Sequence, residues 1–361
     1  MRLSGGGTRR GGLLLWWPRG HGDRLARFDH ADRSDRFQDG HTARSGAIDG
    51  VRVLGVLAVV AGHTLDAPMA HTLLYSWHVP LFFFLAGYFW SSHRSLAQEL
   101  AKRTRTLVVP YLTWFVLIAF AFVALDSSLE NSTFSRLFAP FSNGQSSAMP
   151  YTTFWFVAVF FFSLILLRCL WWLPRTVVWV IAIAGALLGC FAGDTLAETP
   201  LAIGSALPCL IFVLLGTVAR SVRPRIAQPG LVGLVLLLGS AVLVVGGLSS
   251  PLDIKQGDFG TPLLSTVVAV LISFGLLLVA EAAFERMPAG ASRLATRLSY
   301  ACFMVVLTHP LVMWLMLTFG PTVPDWLLFL VTATIPLLLA LLALRSAASF
   351  WLTGVDRQLA A

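Results

Sequence analysis

Charge is what this sequence lacks. Only 12% of its 361 residues are Asp, Glu, Lys or Arg, while 57% are hydrophobic, and its mean hydropathy is +0.76. Soluble globular domains carry about 25% charge, so a soluble enzyme of this length is excluded. The chain reads as a polytopic membrane protein, an all-α bundle of transmembrane helices whose first partner is the lipid bilayer. Cysteine is scarce as well. Cys169, Cys190, Cys209 and Cys302 stand far apart, in or beside apolar runs. None forms a paired or Cys/His metal spacing, so no metal is predicted, and each reads as a small buried hydrophobe. Lysine is nearly missing: all but two of the 26 basic residues are arginine. The net charge of +8 does not point to nucleic acid, because the arginines cluster in short loops between apolar runs, where they carry topology. No internal repeat and no inverted repeat of the transporter kind is visible.

What is present is a series of long apolar runs. Residues 1–46 differ from the rest, with nine Arg, five Asp, many Gly and one short apolar patch, LLLWWP. That patch is too short to span and has no cleavage-like site after it, so this segment is expected to be a disordered basic cytoplasmic tail or translated upstream sequence. Ten apolar segments of about 20 residues follow, at about 48–66, 75–92, 107–125, 153–172, 176–193, 203–219, 229–249, 262–284, 298–319 and 326–345. With both termini in the cytoplasm, 23 Lys and Arg fall on the inner side and only Arg136 and Lys255 on the outer, as the positive-inside rule requires. The expected organisation is the tail, a transmembrane domain over 47–350 and a short cytoplasmic C-terminal tail over 351–361, in the plasma (cytoplasmic) membrane. The longest outer loop, about 126–152, is rich in Ser and Asn and reads either as a solvated loop or as the rim of an entrance for an external substrate.

The first apolar run is interrupted by chemistry. IDGVRVLGVLAVVAGH, residues 48–63, carries Asp49, Arg52 and His63. Arg52 and His63 are eleven residues apart, about 16 Å and about three turns of helix, so both point to one face. Asp66, three residues on, can share it. A charge in a helix centre costs roughly 2.5–3.5 kcal/mol, which favours a polar channel with a cation at its inner mouth and an imidazole deeper in. Taken singly, Arg52 is also what an arginine snorkelling to the interface looks like, and His63 is also a packing residue. His78 opens the second run, WHVPLFFFLAGYFW, just before Pro80, which suits a first helical turn. His63, Asp66 and His78 therefore meet in the outer half, across one hairpin. His71 in that hairpin is expected to be solvated.

These segments resemble the acyltransferase 3 family of integral membrane O-acyltransferases, in its fucose 4-O-acetylase-like branch. The resemblance lies in the Arg, ten residues, His pattern and in HVPLFFFLAG, where Ala86 replaces the family's Ser. It extends to RTRTLVVPYLTW at 103–114, FWFVAVFF at 154–161 and SYACFMVVLTHPLVM at 299–313. The match runs over about 47–345. It implies transfer of an acyl group, usually acetyl, from cytoplasmic acyl-CoA (acetyl-CoA as cosubstrate) to a hydroxyl of a glycan or a related cell-surface or secondary-metabolite acceptor.

Under that resemblance the residues take roles. Arg52, Arg103 and Arg105 are placed for the phosphates of CoA, since arginine binds phosphate in a bidentate fashion; Arg103 and Arg105 are equally a positive-inside signal. His63 is the candidate general base, or the carrier of a transient acyl group. Asp66 would hold its tautomer or be interfacial. His78 would position the acceptor or stabilise the oxyanion. Trp155 could stack on adenine or a sugar, or belong to an aromatic belt, and His309 lines the site or packs. A transporter or flippase of a glycan or lipid-linked intermediate is the main rival. It predicts broken helices near the midplane, and Pro208 is the one good interruption there. A proton-coupled exporter with His63 as relay is the third reading.

Overall fold

The computed structural model describes residues 31–125, 137–139 and 141–357. Two compact units are present, Met1–Gln38 and Asp39–Ala361, and the second carries the bundle. Most of the expected basic tail, and residues 126–136 of the long outer loop, lie outside the described residues. The helices in chain order are α1 (Ala31–Thr64), α2 (Pro68–Tyr75), α3 (His78–Tyr88), α4 (Leu96–Arg103), α5 (Val109–Leu125), α6 (Phe154–Leu170), α7 (Arg175–Ala197), α8 (Ala206–Val222), α9 (Pro229–Val245), α10 (Leu264–Phe284), α11 (Ala289–Phe319), α12 (Asp325–Ala343) and α13 (Ser349–Thr353). No strand occurs among the described residues. That follows from the solvent: hydrocarbon offers backbone groups no partner, so each segment must satisfy its own.

Eight helical stretches are long and apolar enough to cross a membrane, and they make this an integral membrane protein. The first covers Gly46–Thr64, and the second joins α2 and α3 over Pro68–Tyr88. The third runs Leu96–Leu125, longer than the apolar run at 107–125, because α4 adds an amphipathic start. Ser95 caps it, its hydroxyl accepting from the Gln98 amide while the Gln98 side chain accepts from the Ser95 amide, a reciprocal box that defines a helix start. A π-helical turn at Thr104–Val108 then leads into α5. Two other expected spans, 153–172 and 229–249, form α6 and α9, each of 17 residues. At about 26 Å these sit at the short limit for a bilayer core of about 30 Å.

Helix α8 lies at the centre, packed against α3, α6, α7 and α10. Its Cys209, Leu210, Phe212 and Val213 are completely buried. Small residues let it approach α3 closely. A Cβ on Gly87 of α3 would collide with the Val213 carbonyl oxygen, and a Cβ on Gly216 of α8 with the Phe84 carbonyl oxygen. In lipid no hydrophobic effect drives helices together, so such backbone contact supplies much of the association. Around this pair, α9 packs on α10 and α11 on α12.

Polar contacts between loops join segments expected on the same side. Arg105 meets Asp356 at 3.0 Å, and the Trp114 indole donates to the Leu352 carbonyl at 2.8 Å, so the chain end docks on α5. At the other side, Asp325 accepts from the Asp66 amide, and Gln145 donates to the Gln256 carbonyl.

The α3–α8 contact makes a test. Gly87→Val should lower membrane yield and detergent melting temperature sharply, since overpacking costs about 1–3 kcal/mol or more. Gly239→Ala, whose Cβ would meet nothing within 4 Å, should leave both unchanged.

Candidate active site

A partly open cavity of about 180 Å³ lies among α1, α2, α3, α6 and the 251–256 turn. His63 from α1 and His78 from α3 both line it, with Trp155 on α6 and Phe82 and Phe156 deeper in. Tyr75, Thr152, Asp253 and Lys255 complete its polar side. His309, on α11, stands beside His63 with ring centroids 5.5 Å apart. The spacing of His63 and His78 across one hairpin is thus realised as a shared cavity, and His309 joins them from about 230 residues away in sequence.

Local structure fixes two of the three rings. The Nδ1 of His78 lies 2.7 Å from the Leu74 carbonyl oxygen. The Nδ1 of His309 lies 3.0 Å from the Val305 carbonyl oxygen. A carbonyl only accepts, so both rings carry their proton on Nδ1 and present Nε2 as a lone pair. Tyr75 meets His78 edge-on at 4.7 Å, and His71 stacks on Tyr75 at 3.9 Å. His71 is exposed, as expected, yet belongs to this run of rings. Pro310 has no amide hydrogen to give the carbonyl four residues back, that of Val306. The Thr153 hydroxyl takes its place, donating at 2.8 Å, and so ties the start of α6 to α11 beside the cavity.

Asp66 falls outside this group. It is exposed, it does not line the cavity, and its amide is held by Asp325 at 3.1 Å. The helix ends at Thr64, so the turn that would carry Asp66 onto the face of His63 is not made. Sequence reading also missed Lys255 and Asp253. The Lys255 ammonium donates to the Ser147 carbonyl at 2.8 Å and to the Thr152 hydroxyl at 2.9 Å. Burial pulls it below its usual range, against the opposing effect of Asp253. Burial likewise pushes the Asp253 carboxyl up, despite the Gln256 amide and Lys255. One lysine in an outer loop carries no signal of its own; only the fold reveals that it turns inward.

The arginines lie at the other end of the bundle. Arg52 pairs with Asp49 at 2.8 Å, with 41% of its side chain exposed, and its guanidinium sits over Phe89 at 5.5 Å. Asp49 is buried and also accepts from the Thr296 hydroxyl at 2.7 Å. Arg103 is bound to Glu99 at 2.7 Å. Glu99 is completely buried and also meets Arg94 at 3.3 Å and Arg168 at 3.6 Å. Arg168 in turn lies 4.2 Å over the Trp90 ring. Lys102 is within electrostatic reach of Arg52, Arg94 and Arg103, so cations outnumber carboxylates here. Arg105 is the outlier, committed to Asp356 and stacked on Phe350.

Between Arg52 and His63, α1 presents Val56 and Val60, buried in a cluster with Val305 and Val306 of α11 and bordered by Phe82, Phe156 and Cys302. The shared helical face is real, but apolar side chains fill its middle. No group of His, Cys, Asp or Glu among the described residues can hold a metal ion.

Fold and site together define a polytopic membrane protein with a histidine-lined cavity at one end and a cationic cluster at the other. A profile of the acyltransferase domain of the acyltransferase 3 family matches residues 45–345, and the chain belongs to that family. It is also similar to the nodulation protein NolL of Mesorhizobium japonicum (strain LMG 29417 / CECT 9101 / MAFF 303099), 32% identical over 131 residues. That alignment covers 36% of this chain and 33% of the relative, so the match spans about a third of the curated protein's length. No solved structure matches.

The Glu99 cluster yields a stability test. Glu99→Gln leaves buried Arg168 and Arg103 without their carboxylate, and breaking a buried pair costs about 3–5 kcal/mol. The melting temperature in detergent should fall markedly. An unchanged value would show that the cluster is not structural.

Proposed function

We propose that this protein is a membrane-embedded O-acyltransferase that moves an acyl group, in the first instance acetyl, from cytoplasmic acyl-CoA to a hydroxyl of a glycan-like acceptor. The observation that carries the reading is the meeting of His63 and His78 in one cavity, each on a different helix and each beside aromatic walls. An imidazole that lines a small cavity beside a second one suits a general base.

In this reading His63 takes the proton from the acceptor hydroxyl as its oxygen bonds to the thioester carbonyl carbon. The C–S bond then breaks, and the proton passes from His63 to the leaving thiolate. The products are the O-acyl ester and free CoA thiol, with no net proton released. His78 donates through Nδ1 to the Leu74 carbonyl of α2, so its Nε2 lone pair is free to hold an acceptor hydroxyl in place. Trp155 and Tyr75 offer flat faces to the C–H side of a sugar ring, while Thr152, Asp253 and Lys255 offer partners to its hydroxyls. Such a mixture of aromatic walls and a few polar groups is typical of small-ligand sites.

Acyl-CoA carries phosphates, and the cationic end suits them. Arg52 is half-exposed, and Arg94 and Lys102 join it around Glu99, so the phosphate-binding set proposed is Arg52, Arg94, Lys102 and Arg103. Arg105 contributes less, being held by Asp356. The thioester must reach the histidines through the valine and phenylalanine cluster, which therefore has to part when the donor binds.

Two measurements test this. Membranes holding the native protein should transfer label from radiolabelled acetyl-CoA to a glycan acceptor pool, and His63→Ala at matched expression should lower the rate about 10²- to 10⁴-fold. Equal incorporation by both would remove His63 from the chemistry. Arg52→Gln should raise the KM for acetyl-CoA about 10-fold while changing kcat little, as expected where a charge-assisted phosphate contact is lost. An unchanged KM would move the donor site away from Arg52.

A further inference from the structure

Beside the cavity, next to His63, lies a buried polar atom without a partner. The Nε2 of His309 is buried and has no hydrogen-bond partner, and His309 is completely inaccessible. Buried nitrogens without partners are rare and call for a reason. This one is a lone pair, because Nδ1 carries the proton to the Val305 carbonyl. Its ring is held by that bond, and the helix that carries it is tied at the Pro310 break by the Thr153 hydroxyl on the Val306 carbonyl. The protein thus holds a fixed acceptor where the fold alone has no use for one.

His63 has the complementary need. Among the described residues it makes no hydrogen bond, unlike His78 and His309, which are each anchored to a carbonyl four residues back. A general base must be held in one tautomer with its lone pair toward the substrate. The residue expected to do this from sequence, Asp66, faces solvent. The ring that does stand beside His63 is His309, at 5.5 Å between centroids and 34° between planes. An N–H···N bond between two imidazoles puts their centroids roughly 5 Å apart, one hydrogen-bond length plus two ring radii.

We propose that His309 is the positioning residue of a histidine dyad: the two rings stand just short of bonding, and a small rotation of the unanchored His63 ring lets the His309 Nε2 accept its N–H and turns the other His63 nitrogen, as a lone pair, into the cavity. This rests on the reading of His63 as general base. When His63 takes the hydroxyl proton, its charge is met by the His309 lone pair, and the same proton is passed on to the thiolate. His309 gains and loses no proton in the cycle. A neutral partner does the orienting work of a carboxylate without placing a second full charge inside the membrane, where it would be costly. The other ionisable groups around His63 are His78 from α3 and Lys255 from the 251–256 turn, with Tyr75 and Asp253 on the same cavity wall. Of these, His78 alone has a free ring nitrogen, which lines the cavity and is assigned to the acceptor; the others offer no buried, unpartnered one.

The test uses the full-length protein in membranes, with acetyl-CoA as donor, and reads kcat and KM separately. His309→Leu keeps the bulk and removes the acceptor. His309→Gln restores both bonds, its amide N–H₂ serving the Val305 carbonyl and its oxygen serving His63. We expect His309→Leu to lower kcat about 10²-fold with the KM for acetyl-CoA within about 3-fold, and His309→Gln to recover to within about 5-fold of the native kcat. His63→Ala and the His63→Ala/His309→Leu double variant should be equally slow, since residues that act as a unit are not additive. A native kcat in His309→Leu, with His63→Ala inactive, overturns the dyad and leaves the base standing. Activity in His63→Ala overturns the base reading itself. A folded His309→Gln as slow as His63→Ala also overturns the dyad, and it decides the matter should His309→Leu fail to fold.

Discussion

Backbone contact between α3 and α8 is the constraint on which the site depends. Gly87 and Gly216 let two helices touch main chain to main chain, and that contact sets the depth and rotation of α3. Everything useful on α3 follows from it. His78 begins the helix and is turned so that Nδ1 meets the Leu74 carbonyl. Phe82, one turn on, faces α1 and α6, where it meets Phe156 edge-on at 5.6 Å. A side chain at either glycine would push α3 outward and move His78 away from His63, although neither glycine is near the cavity. Lipid-exposed helices gain little from burying apolar surface against each other, so precision in such a bundle has to come from contacts of this kind.

Electrostatics divides the molecule into two ends with different rules. At the cationic end, charges are paired: Glu99 with Arg94, Arg103 and Arg168, and Asp49 with Arg52. The Glu99 pairs fasten α4 to the link after α3 and to the end of α6, and the Thr296 hydroxyl on Asp49 fastens α1 to the start of α11. At the histidine end, the ionisable rings are neutral-capable groups, His78 and His309 anchored to backbone carbonyls, and Lys255 and Asp253 come from a turn outside the spans. Permanent charge is thus kept to the boundary, and groups that can hold or release a proton occupy the interior. The same division explains why Pro310 is tolerated in mid-helix. The carbonyl it strands is satisfied by Thr153, and the local break is used to seat His309.

Much of this was legible in the sequence. Long apolar runs with arginines on alternate loops define the helices, because insertion energetics acts on composition alone. The pairing of His63 with His78 was legible because the two lie in one hairpin and helical spacing is regular. Three features were hidden. Asp66 looked like a triad carboxylate, but helix α1 stops at Thr64, and the end of a helix is the part of a pattern that spacing determines least. Lys255 and Asp253 reach the cavity from a turn whose position depends on contacts with the 143–153 loop. The role of α4 was masked because its amphipathic sequence does not read as membrane, and Glu99 gives no sign that three arginines will surround it. For Lys255, Asp253 and Arg168 the missing information is a long-range contact, which one chain read locally does not contain.

The valine and phenylalanine collar between Arg52 and His63 has a bearing on the membrane itself. A continuous wet path from a cationic mouth to a set of imidazoles would be a proton wire, and three histidines in series are good at conducting. Any bilayer that stores an ion gradient would be discharged through it. The collar puts buried apolar side chains in the way of such a wire, so histidines at one end and a cationic cluster at the other can share one bundle without short-circuiting the energy store of the membrane.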